Sequence, residues 1–207
     1  MGIFKRKARN YFIISPEPGD GRLYIEKDNM KADVGNLMDG KPIEYGIGLQ
    51  LRNGKQEVTE NTDFVAGITM AWAPTISTRF KSIIEELGES NIQFFPVEIE
   101  CNGCSAEPYW HMHILNTLEA FDWDRSTYLA SSEAEDGTFP EWDQDSYRQC
   151  PDDNIILDNV SKYVFLDKVI RSRHIFRFEA SRSKIIVSDA VVDMIQEKLV
   201  GIKITPL

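Results

Sequence analysis

The last third of the chain constrains the fold most tightly, because its apolar residues change period twice before the end. His174-Ile175-Phe176-Arg177-Phe178 alternates as a strand does, and Lys184 to Val187 reads as its neighbour. From Ser188 the spacing becomes helical, with Val191, Val192, Ile195 and Leu199 on one face, Ser188 as the N-cap and Gly201 past the end. Ile202-Lys203-Ile204 is extended again, and Tyr163 to Val169 reads as a strand ahead of the series. The order is β-β-α-β. His174, beside Phe176 and Phe178, is read as a structural histidine on an inner face.

Similar signals run upstream. Tyr11 to Ser15, Ile43 to Arg52 and Phe64 to Met70 read as strands, the second weakened by Gly46 and Gly48. Phe80, Ile83, Ile84 and Leu87 repeat at helical spacing between Ser77, a good N-cap, and Gly88. In Phe94 to Cys101, Val97 and Ile99 alternate with Glu98 and Glu100. Asn102-Gly103 then supplies the turn of a hairpin whose second arm is Tyr109 to Asn116. From about Asp122 to Asn154 the chain is polar and acidic with little periodicity, as a long loop excursion would be. Together these features predict an α+β fold: a mixed, mainly antiparallel sheet, a few packed helices and a long acidic loop. The division expected is a β-rich region over 1–90 packed on an α+β core over 91–207.

A chain of 207 residues, 42% of them hydrophobic, can bury a core without staples. Its three cysteines, Cys101, Cys104 and Cys150, are an odd number that suits a reducing compartment. No apolar run has the length of a membrane span, and no signal-peptide core follows the basic start, so a cytoplasmic protein is expected. Arg6 stands where a myristoylation signal wants Ser or Thr. The net charge of −10 opposes binding to nucleic acid or anionic membrane and favours a basic partner.

Four motifs bear on chemistry. Cys101 and Cys104, followed by His111 and His113 with Cys150 in reserve, are ligand types that zinc favours, but the two pairs stand on facing arms of one short hairpin. The same C-x-x-C lacks the helix start that lowers a redox thiol's pKa. His111-Met112-His113 with Glu119 resembles a cupin metal motif, although Gly103 and Glu119 are wrongly spaced. Asp122, Asp124, Ser126 and Glu133 fit an EF-hand register, yet Thr127 occupies the position that needs Gly. No P-loop, nucleophile elbow or H-E-x-x-H is present. The expectation is a protein with no cofactor and no catalytic residue, with a metal-dependent enzyme using Cys101, Cys104, His111 and His113 as the alternative.

The charge is concentrated. Glu133, Glu135, Asp136, Glu141, Asp143, Asp145, Asp152 and Asp153 face the single cation Arg148 between them, and Phe139, Trp142 and Tyr147 are interleaved. Aromatics among like charges suit a protein-binding patch for a basic partner. Asp122, Asp124, Glu133, Glu135, Asp136, Glu141, Trp142, Asp143 and Asp145 are therefore the candidate partner-binding residues.

Several segments resemble the bacterial immunity protein family Imm11. They are the strand Tyr11-Phe12-Ile13-Ile14-Ser15, the run from Tyr109 to Asn116 leading into Phe121-Asp122-Trp123-Asp124-Arg125-Ser126, and the ladder from His174 to Leu207. The likeness is fullest from about Phe94 onward and weak before it. It implies a cytoplasmic inhibitor that binds a cognate antibacterial toxin, of the polymorphic or contact-delivered kind, and protects the cell that makes it. The family has no catalytic residues to carry over, and such toxins are often basic.

Overall fold

A computed structural model describes residues 9–17, 24–28, 40–43, 50–53, 61–67, 74–100, 108–131, 141–142 and 156–207. Its first half holds strands β1 (Tyr11–Pro16), β2 (Tyr24–Asp28), β3 (Gln50–Asn53), β4 (Phe64–Gly67) and β5 (Thr75–Ser77), helix α1 (Thr78–Glu86) and β6 (Ile92–Glu100). Its second half holds β7 (Tyr109–Ile114), β8 (Thr127–Ser131), β9 (Glu141–Trp142), β10 (Ile156–Lys162), α2 (Asp167–Ile170), β11 (Ile175–Phe178), β12 (Ser181–Ser188), α3 (Asp189–Ile195) and β13 (Ile202–Pro206).

The two ends of the chain meet in one antiparallel sheet of order β11-β12-β1-β13. β1 is inserted between strands from the other terminus, pairing Phe12 with Val187 on one side and Ile14 with Ile204 on the other. Both backbone edges of β1 are thereby satisfied. The strand period then divides the side chains between two cores. Ile14, Ile175, Ile185 and Val187 enter a core with Phe64, Ile76, Phe80, Ile84, Met112 and Ile114, over which α3 lays Val191, Val192 and Ile195. Phe176, Phe178 and Ile186 enter a second core with Ala120, Phe121, Tyr128, Leu157 and Phe165. Along β11 and the second half of β12 this sheet is a middle layer, buried on both faces, and the first core draws residues from either side of position 90.

Helix α1 forms where its spacing predicts. The Ser77 hydroxyl accepts the Phe80 N–H at 3.1 Å, and Gly88 ends the helix with φ of 72°. Phe80, Ile83 and Ile84 are its buried face. β6 and β7 form the expected hairpin, in register from Ile92 with Ile114 to Val97 with Tyr109. The Asn102-Gly103 turn lies outside the described residues. The hairpin belongs to a closed barrel of order β2-β3-β6-β7-β5-β4, antiparallel except where β2 meets β4 and β3 meets β6.

Three expectations differ from the structure. Tyr163 to Val169 is not a strand: Phe165 bridges Phe121, and Asp167 opens the short helix α2. The alternation of Tyr163 and Phe165 reflects packing into the aromatic cluster around Phe121, not a ladder. Ser188 stands at the N-cap of α3 but makes no side-chain cap; its hydroxyl meets His174 Nδ1 at 2.8 Å. His174 precedes β11 and is held there by that contact. Finally, the stretch read as acidic loop opens with a strand. β8 pairs with β10 on one side and with the two-residue β9 on the other.

Candidate partner-binding surface

The candidate metal ligands are separated by their own hydrogen bonds. β7 is buried apart from the half-buried Trp110, and His111 and His113 are each 0% exposed. His111 Nδ1 lies 3.2 Å from the Thr75 hydroxyl across the β5–β7 pairing, whereas His113 Nε2 lies 2.7 Å from the Lys41 carbonyl oxygen. Burial holds the His113 imidazole below its ordinary pKa, so the neutral ring donates from Nε2 to Lys41. Glu119 is exposed beyond the end of β7. Cys101, Cys104 and Cys150 lie outside the described residues, among which no group of three or more His, Cys, Asp or Glu side chains could hold a metal.

The calcium-like register is a turn that ties itself off. Asp122 accepts the Arg125 N–H at 3.1 Å and Arg125 Nε at 2.7 Å, and these bonds lower its pKa. Ser126 is buried, its hydroxyl donating to the Val164 carbonyl at 3.2 Å and accepting the Val164 N–H at 3.0 Å. Thr127 then starts β8, where an EF-hand would still be looping round its ion. Asp124 is exposed on the same turn, while Glu133 is outside the described residues.

What this turn does is deliver a small sheet to the surface. Phe121 packs edge-on to Trp123 at 4.9 Å and Tyr128 at 5.7 Å, and stacks on Phe178 at 5.6 Å, joining the β10-β8-β9 sheet to the middle layer. Glu179 supports the same junction from below, its carboxylate accepting the Ala120 and Phe121 N–H groups at 3.0 and 3.2 Å. Burial raises its pKa against the pull of those donors.

The three strands align one particular end. Ser131, the last residue of β8, has Glu141 opposite it on one side and Ile156 on the other. Of the nominated residues, the fold brings Glu141 and Trp142 beside β8. Glu133, Glu135, Asp136, Asp143 and Asp145 lie outside the described residues. β9 pairs Trp142 with Ala130 and Glu141 with Ser131.

The pattern that defines the Immunity protein family (Imm11) matches residues 19–206. The chain belongs to the Imm11 immunity protein family. The Imm11 match runs through the N-terminal part, where the resemblance of individual segments is weak, and begins after β1. No curated protein matches the chain. Within this Imm11 protein, Leu129 is exposed on β8 next to the buried Tyr128.

Proposed function

We propose that this protein binds a cognate antibacterial toxin and neutralises it, protecting the cell that makes both. The Imm11 match over 19–206 carries the reading. It acts by stoichiometric binding, not by catalysis, and without a cofactor. The net charge of −10 supports a basic toxin, because complementary charge speeds encounter and fixes orientation. The acidic segment from Glu133 to Asp153 contributes to that contact, and Asp122 and Asp124 extend it. Among the described residues no helix is long and apolar enough to cross a membrane, which accords with a target met in the cytoplasm.

The test is co-expression with the toxin encoded beside this chain's gene, together with a binding titration. Growth rescue and a one-to-one complex are expected. Substituting Glu141, Trp142 and Asp143 together should weaken both affinity and protection. A toxin bound with unchanged affinity would remove the acidic segment from the interface, and absence of any complex would remove the function.

A further inference from the structure

We infer that the outer face of the β6–β7 hairpin, beside α1, is a seat for an arginine or lysine side chain of a basic protein toxin, held on the rings of Phe94 and Trp110. This deepens the reading above and rests on it. Phe94, Pro96 and Glu98 alternate on one face of β6, and Pro96 stands directly opposite Trp110 on β7. Phe94 and Trp110 are half-buried and pack against the first core, while Pro96 and Glu98 are exposed. The Trp110 indole is fixed in place. Its Nε1–H donates to the Thr78 hydroxyl at 3.0 Å, and that hydroxyl donates to the Pro108 carbonyl at 2.7 Å. A ring held before its partner arrives loses little freedom on binding.

The seat already holds a cation, the chain's own. Lys81 Nζ lies 4.7 Å from the Trp110 ring centre and 5.2 Å from that of Phe94, and it donates to Glu85 at 2.5 Å. Lysine stems often lie along apolar surface with the ammonium in water, but here the ammonium itself lies over the rings. Lys184 over Tyr163 differs, because its ammonium donates to that ring's own hydroxyl at 2.6 Å. Lys81 shows that two ring faces and a carboxylate stabilise positive charge at this place. It is held by one i to i+4 pair with Glu85, whose side chain is 53% exposed, so a partner's cation replaces it at small cost. Guanidinium is the better occupant, since its plane stacks on indole and it is more weakly hydrated than ammonium. Glu85 and Glu98 border the rings as exposed carboxylates, Glu98 two residues, about 7 Å along the strand, from Pro96. They favour a basic occupant, and the net charge of −10 disfavours a second copy of this chain.

The experiment titrates a catalytically inactive form of the neighbouring toxin into wild-type protein, Lys81→Ala, Glu98→Gln, Trp110→Phe and Lys168→Ala. Lys81→Ala empties the seat and should strengthen binding roughly fivefold, the size of one exposed cation–π contact. Trp110→Phe should weaken it roughly tenfold, since the indole is the better face for a cation. Glu98→Gln, a surface change that leaves the packing alone, should weaken it roughly threefold, the size of one exposed ion pair. Lys168 is exposed on α2, beside the second core, and its removal should leave binding at the wild-type value. Weaker binding by Lys81→Ala would make Lys81 itself the contact and overturn the seat, and unchanged binding would place the interface elsewhere. Equal strengthening by Lys168→Ala would reduce the effect to net charge and overturn it too. Failure of wild type itself to bind the toxin would defeat the functional reading instead.

Discussion

Asp63 and Arg79 form a two-point ion pair, Nη2 to Oδ2 and Nε to Oδ1, that fastens the start of α1 to the start of β4. The same carboxylate accepts the Ser77 hydroxyl and, at 2.7 Å, the Val200 N–H near the other end of the chain. Asp63 is buried, whereas the Arg79 side chain is 54% exposed, so the two residues are unequal partners. Asp63→Ala leaves the Ser77 hydroxyl and the Val200 N–H without their acceptor and should cost about 2–3 kcal/mol in urea denaturation. Arg79→Ala should cost under about 1 kcal/mol, because solvent screens the exposed guanidinium. Equal losses would mean that the ion pair, not the carboxylate's other bonds, holds the junction.

Gly201 and Gly88 both have positive φ, 78° and 72°, yet their surroundings differ. A Cβ on Gly201 would sit 2.0 Å from the Thr62 hydroxyl, which is itself bonded to the Phe64 carbonyl; one on Gly88 meets nothing within 4 Å. Gly88→Ala should therefore cost only the backbone strain, about 1 kcal/mol. Gly201→Ala adds overpacking and should cost about 3 kcal/mol or more. Chemical denaturation of the two variants side by side checks the difference.

His113 titrates against the fold. Its folded pKa lies below the ordinary 6.5 through burial, with a further push from Arg177, whose own pKa burial lowers to about 10. The folded state thus binds this proton less tightly than the unfolded chain. The associated stability is present above pH 6.5 and is lost as pH falls through the folded value. His113→Gln retains an N–H for Lys41 and removes the titration. The melting temperature of wild type should fall more steeply than that of His113→Gln between pH 7.5 and 5.5. Parallel curves would show that this ring is not the titrating group.

Glu141→Lys reverses a charge opposite Ser131, at the start of β9, and should lower toxin affinity roughly tenfold, chiefly through the association rate, with a weaker dependence on salt. An unchanged association rate with the toxin would remove position 141 from the contact.

Much of the architecture could be read along the chain wherever one element decides its own form. The Ser77 cap, the apolar face of α1 and the β6–β7 hairpin are local in cause, and each appears where the residues predict, whereas α3 stops at Ile195 and does not reach Leu199 or Gly201. Tyr163 to Val169 misled because Phe165 alternates for a partner, Phe121, that is distant in sequence. Ser188 misled because its hydroxyl meets His174 Nδ1 and not the free N–H groups of its own helix. The site was half legible. Its acidity is composition, visible at once, but the pairing of Ser131 with both Glu141 and Ile156 joins residues that no local pattern connects.

Sequence by itself determined the class of fold, the family and the sign of the charge, since periodicity, capping and ionisation act over a few neighbouring residues. Only the tertiary structure decided that β1 would lie between β12 and β13, and that Glu141 and Ile156 would flank Ser131. Those pairings join residues far apart in the chain, and they are selected by the burial of two cores at once, a sum over the whole molecule that no single segment carries.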